Sequence, residues 1–448
     1  MNAMRRCRIV LTWALAWLCG AALAQSPTAP AVLLQNVRIF DGKSASLSAP
    51  SHVLVRGEVI ERISSATIAP PAGTTVIDGQ GRTLMPGLID NHWHTMLAAP
   101  SMGTTLEGDL GYLTLLAAVE ARATLMRGFT TVRDLGGPSF ALKRAIDEGL
   151  VVGPRIYPSG AMITITGGHG DFRALHELPR QIGGPPPLTG ALNASQLADS
   201  PDEVRLRTRE QLLMGASQIK LTAGGGVASP HSPLDASTFT EEELRAAVQA
   251  AGNWGTYVCV HAYTPEAIQR AIGAGVKVIE HGHLMDDASA RLIAEKGIWL
   301  SFQPFVDDGF VPRMPPSSMA RLRQVFSGTE QTVALAKKYK LKLAWGTDIL
   351  FSAANATRQG AMLVQMGKWF TPAEVLAMAT GTNAQLLQLS GPRNPYPGKL
   401  GLVEEGALAD LLLVDGNPLE TLGLIETPDK SFVLIMKGGR IHKNLLAR

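Results

Sequence analysis

Between about residue 84 and residue 350, short runs of aliphatic and β-branched residues alternate with stretches whose apolar side chains recur every three or four positions. A run of the first kind fits a strand buried on both faces, and the second kind fits a helix with one buried stripe. Eight strand-like runs are present, at 84–94, 129–135, 155–159, 218–222, 257–262, 276–281, 298–303 and 341–348. Strands that alternate with helices pair in parallel, and eight of them can close into a (β/α)8 TIM barrel with no free edge. Helix punctuation agrees: Thr240 with Glu243 forms a capping box that Gly252 can close, and Thr264-Pro265 opens a helix that Gly273 ends.

The flanks carry a different pattern. Residues 32–77 and 398–442 read as short alternating strands broken by Gly, Pro and Asp, which predicts one small β-sandwich built from both chain ends. The expected division is a signal peptide at 1–24, sandwich at 25–80, barrel at 81–390 and sandwich again at 391–448. Two long connections, 162–215 and 303–328, are rich in Gly, Pro and polar residues and are the lid candidates.

Composition adds constraints. The chain has 448 residues, 46% hydrophobic and 18% charged, which is globular. A net charge of +3 with no Lys/Arg run gives no footprint for nucleic acid. Arg5, Arg6 and Arg8 precede an apolar run that ends in Ala22-Leu23-Ala24, the pattern of a cleaved secretory signal, so the expected location is periplasmic or secreted. That run is shorter than the roughly 20 residues a bilayer span requires, so no stable membrane insertion is expected after cleavage. Cleavage would remove three arginines, Cys7 and Cys19, leaving Cys259 without a disulfide partner.

In a parallel barrel every strand's C-terminal end opens onto one face. His92 and His94 end the first run, two apart, so the pleat points both the same way. Lys220 lies near the end of the fourth run, His261 near that of the fifth, His281 closes the sixth and Asp348 the eighth. Singly, each has an ordinary reading as a core histidine, a surface lysine or a helix cap; six together on one mouth form a metal-ligand set. An ammonium beside metal ions would be unfavourable and offers no lone pair, so Lys220 must be neutral or modified, and a carbamate could bridge two ions.

These motifs together resemble the amidohydrolase superfamily, in its subgroup similar to imidazolonepropionase and to Xaa-Pro dipeptidase-like metallo-carboxypeptidases. The resemblance rests on Pro86-Gly87-Leu88-Ile89-Asp90 before His92 and His94, Gly128-Phe129-Thr130-Thr131-Val132-Arg133-Asp134, and Lys220 followed by Gly224-Gly225-Gly226. It continues in Ile279-Glu280-His281-Gly282, Gly346-Thr347-Asp348 and Gly406-Ala407-Leu408-Ala409-Asp410-Leu411. It implies two divalent ions, usually Zn2+, with His92, His94 and Asp348 on one and His261 and His281 on the other. Carbamylated Lys220 and a hydroxide would bridge them, and Asp348 would shuttle the proton from water to the leaving nitrogen. In the dipeptidase-like relatives a histidine in a Gly-Gly-His-Gly segment and a tyrosine two residues after the fifth-strand histidine bind the substrate, which maps to His169 and Tyr263. His283 is a further substrate-side candidate, with a solvated reading beside it, and His231 reads as a loop residue.

The expected activity is hydrolysis of an amide whose nitrogen belongs to an amino acid with a free carboxylate, in a dipeptide or an N-acyl amino acid. Relatives that release phenylalanine from ochratoxin A make that toxin one possible substrate. The rival readings are a cyclic-amide hydrolase of the imidazolonepropionase kind and a metal-free binding or scaffold barrel. The expected partner is a small amide, and the expected assembly a homo-oligomer.

Overall fold

The computed structural model describes residues 30–177, 186–310 and 314–446; the signal-peptide expectation for 1–24 lies outside them. Eight parallel strands form the barrel, in chain order Leu88–Trp93, Phe129–Asp134, Arg155–Pro158, Ile219–Thr222, Val258–Ala262, Val278–His281, Trp299–Phe302 and Lys342–Trp345. The first three pair with one another and the last five with one another. Side chains and backbone close the two seams. Gln218 Nε2 donates to the carbonyls of Tyr157 (2.8 Å) and Asp134 (3.2 Å). At the other seam, Asn383 donates to the Ile89 and Trp345 carbonyls (2.7 and 2.8 Å) and accepts from Trp345 N (3.0 Å), joining the first strand to the last.

The capping box at Thr240 and Glu243 is present, but its helix runs Glu241–Asn253 with Gly252 inside it and Trp254 at the cap. The helix after Thr264-Pro265 runs Pro265–Ala274, and its left-handed terminator is Gly275 (φ 99°), not Gly273. Each helix ends one or two residues beyond Gly252 or Gly273, because a helix tolerates glycine inside it once packing supplies the stability.

Three other segments are more finely divided than their sequence pattern suggests. The run 84–94 divides: Thr83–Pro86 belongs to the flank sheet and Leu88–Trp93 to the barrel. The connection 162–215 contains two strands, Met162–Thr164 and Ser195–Leu197, which extend the barrel sheet beside Ile219–Thr222, and the helix Pro201–Met214. The connection 303–328 passes into the long helix Pro316–Lys338.

Both chain ends meet in the flanking sandwich. Ala31–Ile39 gives its first half to pairing with Ser51–Arg56 and Thr75–Asp78, and its last two residues to Thr83–Pro86. The latter pairs with the C-terminal strand Leu411–Val414, which continues through Phe432–Lys437 to Arg440–Asn444. Alternate residues such as Leu34, Val53, Val55, Leu411, Leu413 and Met436 fill the space between the two halves.

Candidate metal centre

The strand ends place the predicted set together. The ligand atoms of His92, His94 and Asp348 all lie within 4.8 Å of one another. Asp348 Oδ1 is 3.2 Å from His92 Nε2 and 3.1 Å from His94 Nε2, and Lys220 Nζ is 3.5 Å from His92 Nε2. The His92 ring centroid is 4.9 Å from that of His281, which is 4.4 Å from that of His261. All six predicted ligands line one small recess.

Partners on the far nitrogen of three rings set their tautomers. His92 Nδ1 donates to Glu280 Oε2 (2.9 Å), leaving Nε2 facing Asp348 and Lys220. His261 Nε2 donates to the Gly225 carbonyl (2.8 Å), which leaves the Nδ1 lone pair free. His281 Nδ1 meets Gln303 Oε1 at 2.6 Å; the Gln303 amide is oriented by its own bond to the Ser301 carbonyl (3.2 Å). Among the described residues, His281 Nε2 then has no partner and is a buried acceptor. An orphaned lone pair inside a ring of ligating side chains fits a metal ion, which restores the interaction that burial removed.

Burial and charge act against each other here. Burial drives His261 and His281 well below the usual histidine range, so both imidazoles are neutral donors of a lone pair. Burial also lowers Lys220, toward the neutral amine. For Asp348 burial works upward, but His92 and His94 outweigh it and hold the carboxyl ionised.

Backbone strain marks the same positions. His281 (φ 78°) and Asp348 (φ 57°) both occupy the left-handed region that non-glycine residues avoid. Asp90, fully buried, supports the second turn by accepting from Thr347 N (3.1 Å) and Thr347 Oγ1 (2.7 Å) and from Gln359 (2.9 Å). Gly346 is required because any Cβ there would strike His92.

Glu280, which the sequence pattern does not single out, joins the site. It bonds His92 on one side and Arg133 Nη2 on the other (2.6 Å), and Arg133 reaches the Asn91 carbonyl (2.7 Å) and Tyr257 Oη (3.2 Å). Arg133 and His92 outweigh burial and bring the Glu280 carboxyl down to about 2. Both partners lie inside family motifs, Arg133 before Asp134 and Glu280 before His281, but strand alternation turns Glu280 away from the face of His281 and so hides its part in the site.

Of the substrate-side candidates, His169 and Tyr263 lie over the ligands, their ring centroids 4.3 and 4.7 Å from that of His261. Ser229 Oγ accepts from Gly170 N (2.8 Å) and bonds His169 Nδ1 (3.0 Å), so His169 presents Nε2. Gly226 leaves room for that ring, since a Cβ there would enter it. His283 is neither solvated nor at the mouth. It is buried between Phe302 and Phe305 (both 5.0 Å), bonded to the Gln303 carbonyl, behind the chamber wall. His231 stays in its loop. Above the recess opens a chamber of about 610 Å³, walled by Phe172, Phe305, Phe326, Leu322 and Met362 among others.

A parallel barrel that gathers histidines, a carboxylate and a buried lysine at its strand ends is the framework of a metal-binding hydrolase. The model of the amidohydrolase family matches residues 83–444. Ochratoxinase from Aspergillus niger is 32% identical over 371 residues, 80% of this chain and 75% of that protein. A crystal structure of a prolidase complexed with N-methylphosphonate-L-proline superposes with a TM-score of 0.85 at 32% identity, covering 92% of this chain and 100% of that one. A Xaa-Pro dipeptidase with bound methionine superposes at 0.80 with 29% identity, covering 92% and 100%. The chain belongs to the amidohydrolase family, and it is a hydrolase of amide bonds.

Proposed function

We propose that this protein is an exported, binuclear zinc amidohydrolase that releases an amino acid with a free carboxylate from its amide. The observation that carries the two-metal reading is the buried Nε2 of His281, without a partner among the described residues, beside His261 and across from the His92, His94 and Asp348 cluster. Lys220, as its carbamate, would join the two halves. Bound there, the ions would supply Lewis acidity toward water and toward the scissile carbonyl.

The residues of the chain do the rest. Asp348, ionised, takes the proton of the attacking water at Oδ2 and delivers it to the leaving nitrogen, without which an amide cannot depart. His169 through Nε2 and Tyr263 through its hydroxyl, kept protonated by burial, bind the substrate carboxylate. The ochratoxinase and Xaa-Pro dipeptidase relatives support this substrate class, and an aromatic N-acyl amino acid such as ochratoxin A suits the phenylalanine-lined chamber. Export rests on the basic, then apolar, first two dozen residues.

Metal-loaded protein is expected to release free amino acid from N-acyl amino acids, and Asp348→Asn to lose roughly 10²–10⁴-fold in kcat with the fold intact. Ring opening of cyclic amides without release of an amino acid, or near-normal turnover by the variant, would overturn the reading.

A further inference from the structure

The chamber above the ligands has to receive whatever is attached to the carbonyl side of the scissile bond, and its charges restrict that group. Every Asp and Glu of the chain lies among the described residues, and only two carboxylates line the chamber, Asp348 and Asp308. Asp348 belongs to the metal-ligand cluster. Asp308, at the rim, is already engaged: Arg358 Nη2 and Gln365 Nε2 (2.7 Å) both donate to its Oδ2, and Phe310 N donates to Oδ1 (3.0 Å). The Arg358 guanidinium also lies over the Phe310 ring, 4.2 Å from its centroid. Both side chains of the ion pair are about one quarter exposed.

We propose that the Asp308–Arg358 pair is a specificity device that makes the chamber accept an uncharged acyl group and turn away a free N-terminal amine. This rests on the amide-hydrolase reading of the same site given above. A dipeptide places a protonated α-amine one carbon from the scissile carbonyl, so the amine enters the apolar chamber with the acyl side chain. There it finds no carboxylate free to pair with it, and it lies beside a centre built for cations. A charge that leaves water without a partner is strongly disfavoured. An N-acyl amino acid carries no such charge, and its ring can pack on Phe172, Phe305 and Phe351, which line the chamber. Arg358 therefore acts by neutralising Asp308: removing the guanidinium leaves an uncompensated negative charge on the chamber wall, whose field favours a cationic substrate.

The test uses the metal-loaded, full-length enzyme and two substrates that differ in one charge, 3-(2-naphthyl)alanyl-L-phenylalanine and its N-acetyl derivative. Phenylalanine release gives kcat/KM for each at pH 7. The wild type is expected to favour the acetylated compound at least tenfold, about 1.4 kcal/mol of discrimination. The ratio should contract at pH 9, above the amine's ordinary pKa of about 8. Arg358→Gln is expected to contract the ratio at pH 7 by raising kcat/KM for the free amine, while Arg358→Lys, which keeps a cation on Asp308, should preserve it. Equal or better cleavage of the free amine by the wild type, or an unchanged ratio in Arg358→Gln, would overturn the role of the pair alone. Cleavage of neither compound by the wild type would overturn the amide-hydrolase reading as well.

Discussion

Around Asp410, where the barrel meets the sandwich, buried charges are matched. Arg155 bonds both Asp410 oxygens (2.8 and 3.2 Å), Gly438 N donates to the same carboxylate (2.7 Å), and the Arg155 guanidinium rests 5.1 Å from the Tyr396 ring centroid. At the barrel mouth, by contrast, His281 Nε2 and His94 Nδ1 are buried without partners among the described residues, and His281 and Asp348 hold strained backbone angles. Both clusters draw on motifs of one family. The difference separates a joint from a site: a satisfied cluster is finished when the chain folds, whereas orphaned ring nitrogens and strained backbone cost stability that a ligand can recover.

The contrast breaks most sharply if the matched cluster is opened. Asp410→Ala would leave Arg155 buried and unpaired, at a cost of ~3–5 kcal/mol. The expected result is a large drop in the denaturation midpoint with turnover per folded molecule unchanged. Lost turnover in folded protein would mean that the joint reaches the site.

A smaller effect sharpens the other side. Glu280→Gln keeps the shape of the side chain but removes the carboxylate that orients and polarises His92, so metal affinity should fall ~10–100-fold. Competition with a chelator reads this directly. Unchanged affinity would reduce Glu280 to a partner for Arg133 alone.

The two clusters were also unequally legible in the sequence. The convergence at the strand ends was readable because a parallel barrel fixes where every strand end points, so residue type and position sufficed to bring His92, His94, Lys220, His261, His281 and Asp348 to one recess. Gln218 could be read as facing inward with Lys220 by alternation. Glu280 could not: alternation sends consecutive residues to opposite faces, but the left-handed backbone at His281 lets that ring and the Glu280 carboxylate serve one centre. Long-range pairs such as Arg155 with Asp410, or Arg358 with Asp308, leave no local pattern, since nothing within a few residues of either partner specifies the other. His283 was misplaced for a related reason. Its position after the sixth strand is that of a mouth residue, and only packing against Phe302 and Phe305 carries it behind the wall.

The smallest expected effect tests whether the joint is as complete as its distances suggest. Lys437 donates to the Gly153 carbonyl (2.6 Å) beside Arg155 and Asp410, and burial brings its ammonium down to about 8 from the usual 10.5, with Asp410 opposing that shift and Arg155 adding to it. Between those two values the unfolded chain binds a proton that the folded chain does not, so the contribution of Lys437 to stability rises with pH across that window. Subtracting the unfolding free energy of Lys437→Met from that of the wild type at each pH isolates the group. The difference should climb by an amount on the order of 1–2 kcal/mol from pH 8 to 10.5, allowing for partial exposure. A flat difference would mean that Asp410 neutralises Lys437 as fully as it does Arg155, and that the joint holds no residual cost at all.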